Sequence, residues 1–200
     1  MQIKTLKVGP LRTNCYLLIK ENAALIIDPG DEAERIIATL NGVFPKAILL
    51  THGHFDHIGA LQDLKAKLKV PIYLQNEALD EYRVAKEHGE VLGISIPEPP
   101  KPDYDLTDTV KIDGFSGKVI KTPGHTKGSV CFLFGDNLFS GDTLFKGTCG
   151  RTDLPFSDHR EMIISLKSLL KLLPQTVIYP GHGDQTTLRD EIRWIDEFTR

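Results

Sequence analysis

Thr51-His52-Gly53-His54-Phe55-Asp56-His57 is the stretch on which the reading of this chain turns. Between positions 52 and 57 it offers three imidazoles and a carboxylate. Burying such groups together is costly, because desolvated polar groups need partners and neighbouring imidazoliums repel. A coordinated metal ion removes both penalties. The preceding residues, Ala47-Ile48-Leu49-Leu50, form a short apolar run fit for a strand buried on both faces, so the donors sit on a loop at a strand's carboxyl end. From Ile58 to Lys67 the apolar residues take helical spacing, which puts Asp56 and His57 where a helix begins. Gly53 and Gly59 let backbone pack closely there.

Three further donors each follow a strand-like run and stand beside glycine or proline that forces a turn. His125 follows Lys118-Val119-Ile120-Lys121 through Thr122-Pro123-Gly124. Asp142 follows Asn137-Leu138-Phe139-Ser140-Gly141, and His182 follows Thr176-Val177-Ile178 through Tyr179-Pro180-Gly181. Such repetition implies one rim of a sheet on which the donors converge.

The ordered set H-x-H-x-D-H from His52 to His57, T-P-G-H-T at His125, S-G-D-T-L-F at Asp142 and Y-P-G-H-G at His182 resembles the metallo-β-lactamase superfamily. Within it, the short glyoxalase II-like (hydroxyacylglutathione hydrolase-like) branch is the most similar, and the likeness runs from about Asn14 to Asp184. The resemblance implies an α/β chain folded as an αββα sandwich, two mixed sheets with helices on their outer faces and the site at one edge. It places His52, His54 and His125 on one divalent metal ion and Asp56, His57 and His182 on a second, with Asp142 bridging. Asp56 and Asp142 are then the carboxylates of the catalytic centre. Zinc suits this donor set, and iron and manganese also accept it. Asp28 in I-I-D-P-G resembles the superfamily's first motif and would support a ligand through a hydrogen bond; an ordinary turn aspartate is the alternative. An acid at position 142, where a classical β-lactamase of the superfamily has cysteine, argues against antibiotic hydrolysis as the main activity.

The activity this implies is hydrolysis of a small-molecule thioester, hydroxyacylglutathione or a relative of it, by water activated on two metal ions. Thiolate leaves readily, so no separate general acid is expected. Arg151 stands where the family has a glutathione-binding lysine, whereas Asp153 stands where a tyrosine contact is expected. The sequence stops at Arg200, so the C-terminal helical domain that adds cationic glutathione contacts in longer relatives is expected to be missing. Two other readings stay open. Persulfide dioxygenases share the fold, the histidine motif and a phrase like Cys149-Gly150-Arg151-Thr152-Asp153; they use one iron at positions matching His52, His125 and Asp142, and have alanine in place of Gly181. A non-catalytic, metal-stabilised binding module is the other, and it leaves the open ligand positions unexplained.

Composition agrees with one domain over residues 1–200, long enough to bury a substantial core. A net charge of −3 leaves no basic footprint for nucleic acid. The N-terminal residues lack the apolar core of a signal peptide and no run is long enough to span a bilayer, so a cytoplasmic protein without a membrane partner is expected. Cys15, Cys131 and Cys149 are odd in number and lack metal-finger spacing, which fits a reducing compartment, and Cys149 is read as inert packing. Internal duplication is expected: Asn14-Cys15-Tyr16-Leu17-Leu18 resembles Val130-Cys131-Phe132-Leu133-Phe134, Asp28 parallels Asp142, and the strand before His52 parallels that before His182. Helical patterns occur over 31–40, 76–88, 157–173 and 186–199, with Asp158 and Glu161 as a capping box. Pro97, Pro99, Pro100 and Pro102 mark the segment 89–105 as an irregular surface connection. His88 and His159 have no neighbouring donors in sequence and are read as surface histidines.

Overall fold

The apolar residues of the central strands alternate between two faces, and both faces are covered. The computed structural model describes residues 1–200. The first half runs β1 (Gln2–Val8), β2 (Thr13–Lys20), β3 (Ala23–Ile27), α1 (Ala33–Leu40), β4 (Phe44–Leu49), α2 (Phe55–Ile58), α3 (Leu61–Leu68), β5 (Ile72–Leu74), a 3-10 turn (Asn76–Ala78), α4 (Leu79–Arg83), α5 (Ala85–Val91) and β6 (Tyr104–Asp105). The second runs β7 (Thr109–Ile112), β8 (Phe115–Lys121), β9 (Val130–Phe134), β10 (Asn137–Gly141), α6 (His159–Leu169), β11 (Val177–Pro180), β12 (Thr186–Thr187) and α7 (Leu188–Phe198). They build two six-stranded mixed sheets, ordered β1-β2-β3-β4-β5-β6 and β12-β11-β10-β9-β8-β7. Each contains the same succession, an antiparallel pair followed by a parallel strand: β2-β3-β4 in one, β9-β10-β11 in the other.

Alternation along the strands assigns the layers. Tyr16, Leu18, Leu25, Ile27 and Leu49 face inward and meet Phe132, Phe134 and Phe139 between the sheets. Their neighbours Leu17, Ile19, Ala24, Ile26 and Ile48 face outward and pack with Ile36 of α1 and Leu61 and Leu64 of α3. On the far side Cys131, Leu138 and Ile178 pack with Met162 and Leu166 of α6 and Ile195 of α7. This is the expected αββα sandwich. Phe139 is fully buried and stacks on Tyr179 at 5.0 Å, so Phe139→Ala would cost about 3–5 kcal/mol. No helix is long and apolar enough to cross a membrane.

Two local expectations need correction. The helical pattern over 76–88 is broken into the 3-10 turn, α4 and α5, with Val84 out of helical geometry at φ −101° and ψ 7°. The break lets successive pieces pack on different parts of the metal loop: Glu81 and Tyr82 meet Gly53, while Gly89 meets the Phe55 ring. Asp158 does cap α6, accepting from Arg160 N–H at 2.8 Å and Glu161 N–H at 3.1 Å. The reciprocal half of the box is unnecessary, because the Asp158 N–H is already taken by the Gly124 carbonyl at 2.8 Å. The segment after α5 is irregular as far as Asp103, and Tyr82 Oη donates to the Pro100 carbonyl at 2.7 Å.

At one edge of the sandwich, loops from both sheets are joined by backbone hydrogen bonds. Val130 N–H donates to the Thr51 carbonyl at 2.9 Å, Asn14 N–H to Gly181 at 2.7 Å, and Gly181 N–H to Gly141 at 2.8 Å. Those bonds bring the carboxyl ends of β4, β10 and β11 together, which is where the donors lie.

Candidate metal centre

The structure gathers all seven donors picked from the sequence at this edge. Atoms of His52, His54 and His125 lie within 4.8 Å of one another and form one candidate metal-binding cluster; those of Asp56, His57 and His182 form a second. Asp142 stands between them. Its Oδ1 is 3.3 Å from His57 Nε2, while its Oδ2 is 3.5 Å from His125 Nε2 and 3.6 Å from His182 Nε2. His52, His57 and His125 are buried, whereas His54, Asp56, Asp142 and His182 are partly exposed and mark the open side.

Ring orientation follows from hydrogen-bond chemistry. The Thr51 hydroxyl donates to Asp28 Oδ2 at 2.6 Å, so its oxygen accepts from His52 Nδ1, 3.0 Å away. His57 Nδ1 donates to the same Asp28 Oδ2 at 3.0 Å. His125 Nδ1 faces the Arg151 carbonyl at 2.8 Å, and a carbonyl only accepts. In all three rings Nδ1 is thus the donor, and Nε2 is aimed at the centre. His54 instead turns Nδ1 inward, 2.9 Å from His125 Nε2. Asp56 Oδ2 accepts from Thr13 Oγ1 at 2.8 Å and lies 3.1 Å from His182 Nε2.

The residues fit a pair of cations. His52 Nε2, His57 Nε2 and Asp142 Oδ1 are buried and have no hydrogen-bond partner, a costly state that coordination relieves. Burial drives His52 far below the usual imidazole range, and burial with the His125 ring beside it pushes His54 down to about 3. Both are therefore neutral and able to donate lone pairs. Burial also opposes charge on His57, but Asp56, Asp142 and Asp28 surround it and hold its pKa well above normal. Against the same burial penalty, the imidazoles led by His57 keep Asp142 and Asp56 ionised below the usual carboxylate range. Three carboxylates among five imidazoles demand positive charge, which divalent cations supply.

The structure also places the remaining residues singled out in the sequence. Asp28 is buried, with φ 50°, and accepts from Thr51 N–H at 2.8 Å in addition to the bonds above, so it is no ordinary turn aspartate. The Arg151 guanidinium is exposed and paired with Asp153 through bonds of 2.9 and 3.0 Å; only its backbone carbonyl touches the cluster. Cys149 is partly buried, and burial pushes its thiol up to about 11, the opposite of an activated nucleophile. His88 packs near Phe156 and His159 near Phe198, away from the donors. Sequence reading missed Thr13, Thr51 and Glu81, which hold the donors or their loops. A cavity of about 490 Å³ beside β6 contains none of the donors, and its Asp103, Asp105, Tyr82 and Arg83 are engaged by Lys65, Asn76, Pro100 and Asp80.

Comparison with known proteins agrees with this geometry. Hydroxyacylglutathione hydrolase GloC of Haemophilus influenzae is 37% identical over 96% of this chain and 96% of its own. The crystal structure of TTHA1623 in a di-iron-bound form superposes with a TM-score of 0.89 at 43% identity, covering 95% of this chain and 97% of that one. That of BLEG-1 B3 metallo-beta-lactamase does so with a TM-score of 0.90 at 35% identity, over 100% of both. Residues 8–182 match the metallo-beta-lactamase superfamily as a family, and with the αββα sandwich and the two donor clusters at its edge, the chain belongs to that superfamily.

Proposed function

We propose that this protein is a binuclear metal-dependent hydrolase of the glyoxalase II-like branch, cleaving hydroxyacylglutathione or a related small thioester. The observation that carries the reading is Asp142, whose two carboxylate oxygens face different donor clusters, Oδ1 towards His57 and Oδ2 towards His125. A bridging carboxylate is wasted on one ion. The one-iron oxygenase reading needs only His52, His125 and Asp142 and leaves Asp56 and His182 without a task. A structural metal needs four ligands and no open side.

Two divalent ions held there would supply an ionised water near neutral pH and polarise the substrate carbonyl. The side chains do the rest. Asp28 holds His57 directly and His52 through Thr51, fixing which ring nitrogen is offered to a metal. Thr13 fixes Asp56. The partly exposed His54, Asp56, Asp142 and His182 leave the substrate a side from which to approach. Arg151 is the cation we assign to a substrate carboxylate, which would displace Asp153 from its guanidinium fork. The thioester rather than another carbonyl is supported by the likeness to GloC, and iron alongside zinc by the di-iron form of TTHA1623. Three free thiols, two of them buried, suit a cytoplasmic enzyme.

The test is metal analysis of the purified protein coupled to turnover of S-lactoylglutathione, other acyl thioesters, a β-lactam and glutathione persulfide. Two ions per chain with thioester turnover is the expected result. A single ion with oxygen uptake on the persulfide would replace the reading with the oxygenase. Because of the likeness to BLEG-1, β-lactam turnover exceeding every thioester would move the substrate class instead.

A further inference from the structure

Glu81 has no place in the chemistry described so far, yet it is one of the few carboxylates fully inside the protein, 1% exposed on α4. Its Oε1 accepts a 2.6 Å hydrogen bond from the N–H of Gly53, the residue that joins His52 to His54. The contact is as close as backbone allows: a Cβ on Gly53 would stand 2.8 Å from Glu81 Cγ and 2.9 Å from the backbone nitrogen of Tyr82. The other oxygen, Oε2, is buried without a partner. For stability alone this is a poor choice, since a buried acid with one unpaired oxygen is penalised by desolvation, which here pushes its pKa up to about 7. What the side chain supplies is a short hydrogen bond to one particular peptide group.

That peptide group needs fixing. His52, His57 and His125 each have Nδ1 held by an oxygen, whereas the only hydrogen-bond partner of the His54 ring is His125 itself. Metal-ligating histidines are ordinarily oriented by a hydrogen bond on the nitrogen away from the metal. His54 lacks one, so its setting falls to the backbone on either side. On one side His57 N–H closes a turn onto the His54 carbonyl at 3.0 Å, and on the other stands the Gly53 bond to Glu81.

We propose that Glu81 is a positioning residue for the first donor cluster, locking the Gly53 peptide so that the His52 and His54 rings are held in register to bind one ion. The inference rests on the reading of the two clusters as metal sites. It is tested by titrating the full-length metal-free protein with zinc and comparing Glu81→Gln, which keeps an acceptor oxygen, with Glu81→Met, which has similar volume and none. Glu81→Met is expected to bind one of the two zinc ions about 10–100-fold more weakly, in the range found when the outer partner of a ligand is lost. Glu81→Gln should stay within a few-fold of the wild type, and thermal unfolding of both metal-free variants should match or exceed it. Activity should follow as a fall in kcat with KM little changed. If Glu81→Met does not fold, Glu81→Asp, which shortens the reach by one methylene, takes its place with the same expected loss. Two zinc ions held with wild-type affinity by the acceptor-free or shortened variant, or equal losses in that variant and Glu81→Gln, would overturn the proposal. A wild-type protein that binds no zinc would fail the metal reading itself.

Discussion

Gly181→Ala tests the two-metal reading most directly, because one methyl group lands inside the centre. A Cβ at this position would sit 2.1 Å from Asp142 Oδ1 and 2.7 Å from His57 Cε1. Ordinary contact begins near 3.4 Å, so the carboxylate oxygen must retreat by about 1.3 Å. Metal–ligand bonds of roughly 2.0–2.2 Å tolerate errors of only about 0.2 Å, so a retreat of that size ends coordination. Gly181 is not among the glycines with positive φ, which means alanine fits the backbone and the overlap is the whole perturbation. Turning the Asp142 side chain away relieves the larger overlap and a small shift of the His57 ring the other, so the fold should survive while the bridge is lost. The protein should then carry about one ion or fewer per chain by elemental analysis. Turnover should fall by at least about a hundredfold, since the polarising contribution of a metal is worth several kcal/mol. Gly117→Ala is the control: its Cβ would press on the Phe134 ring at 2.6 Å, far from the donors. It should cost about 1–3 kcal/mol of stability and leave metal content intact. A Gly181→Ala protein that keeps two ions and full turnover would refute the placement of Asp142.

Arg151→Ala should lower kcat/KM for an anionic thioester about ten- to a hundredfold, mainly through KM, and spare an uncharged one; equal losses for both substrates would mean that the arginine only braces Asp153. Chelation should lower the thermal midpoint, because His52, His54, Asp56 and His57 come from one sheet and His125, Asp142 and His182 from the other, so each ion links the two halves. At a free metal concentration of 100 times Kd, one ion contributes about 2.7 kcal/mol, or roughly 5–10 °C for a chain of this size, read by calorimetry with and without chelator. Glu81 gives a pH dependence of known sign. Its carboxyl is raised in the folded protein from 4.5 to about 7, so its contribution to stability is complete below pH 4.5 and is lost as pH rises through 7. Relative to Glu81→Gln at equal metal loading, the wild type should therefore lose up to about 3 kcal/mol between those limits in urea unfolding; parallel curves for the two proteins would show that Glu81 is not the titrating group.

The donors were legible in the sequence because few residue types bind metals and each of the seven follows an apolar run that ends in a turn. Strand ends could be located from Ala47-Ile48-Leu49-Leu50 or Thr176-Val177-Ile178 without knowing which strands pair. What fixes the donors was much less visible. Asp28 could be suspected from its motif, but Thr13 and Thr51 are common residues whose roles depend on hydroxyl direction, and the oxygen that sets the His125 tautomer is a main-chain carbonyl that any residue at 151 provides. Glu81 lies in the polar run Asp80-Glu81-Tyr82-Arg83, which reads as a solvated helix face. Glu81 instead lies on the buried face of α4 beside Tyr82, against Gly53 of the metal loop, a contact that tertiary packing makes and local propensity does not announce.

The same contrast separates what chemistry this edge permits from what it accepts. Metal coordination by imidazoles and carboxylates requires bonds of definite length, and such a constraint shows in sequence as short motifs. The groups proposed to choose the substrate carry no such constraint. Arg151 and Asp153 are both exposed, held by each other across a bend, and can exchange partners at little cost. On the proposed function, a site whose donors are held by Asp28, Thr13 and Thr51 while its substrate contacts are an exposed ion pair would change thioester by loop substitution without disturbing the donors. Converting the pair to the lysine and tyrosine of the glutathione-binding pattern, Arg151→Lys with Asp153→Tyr, should accordingly alter KM across thioesters and leave metal stoichiometry unchanged, and a double variant that lost its metal would show the two halves to be one unit.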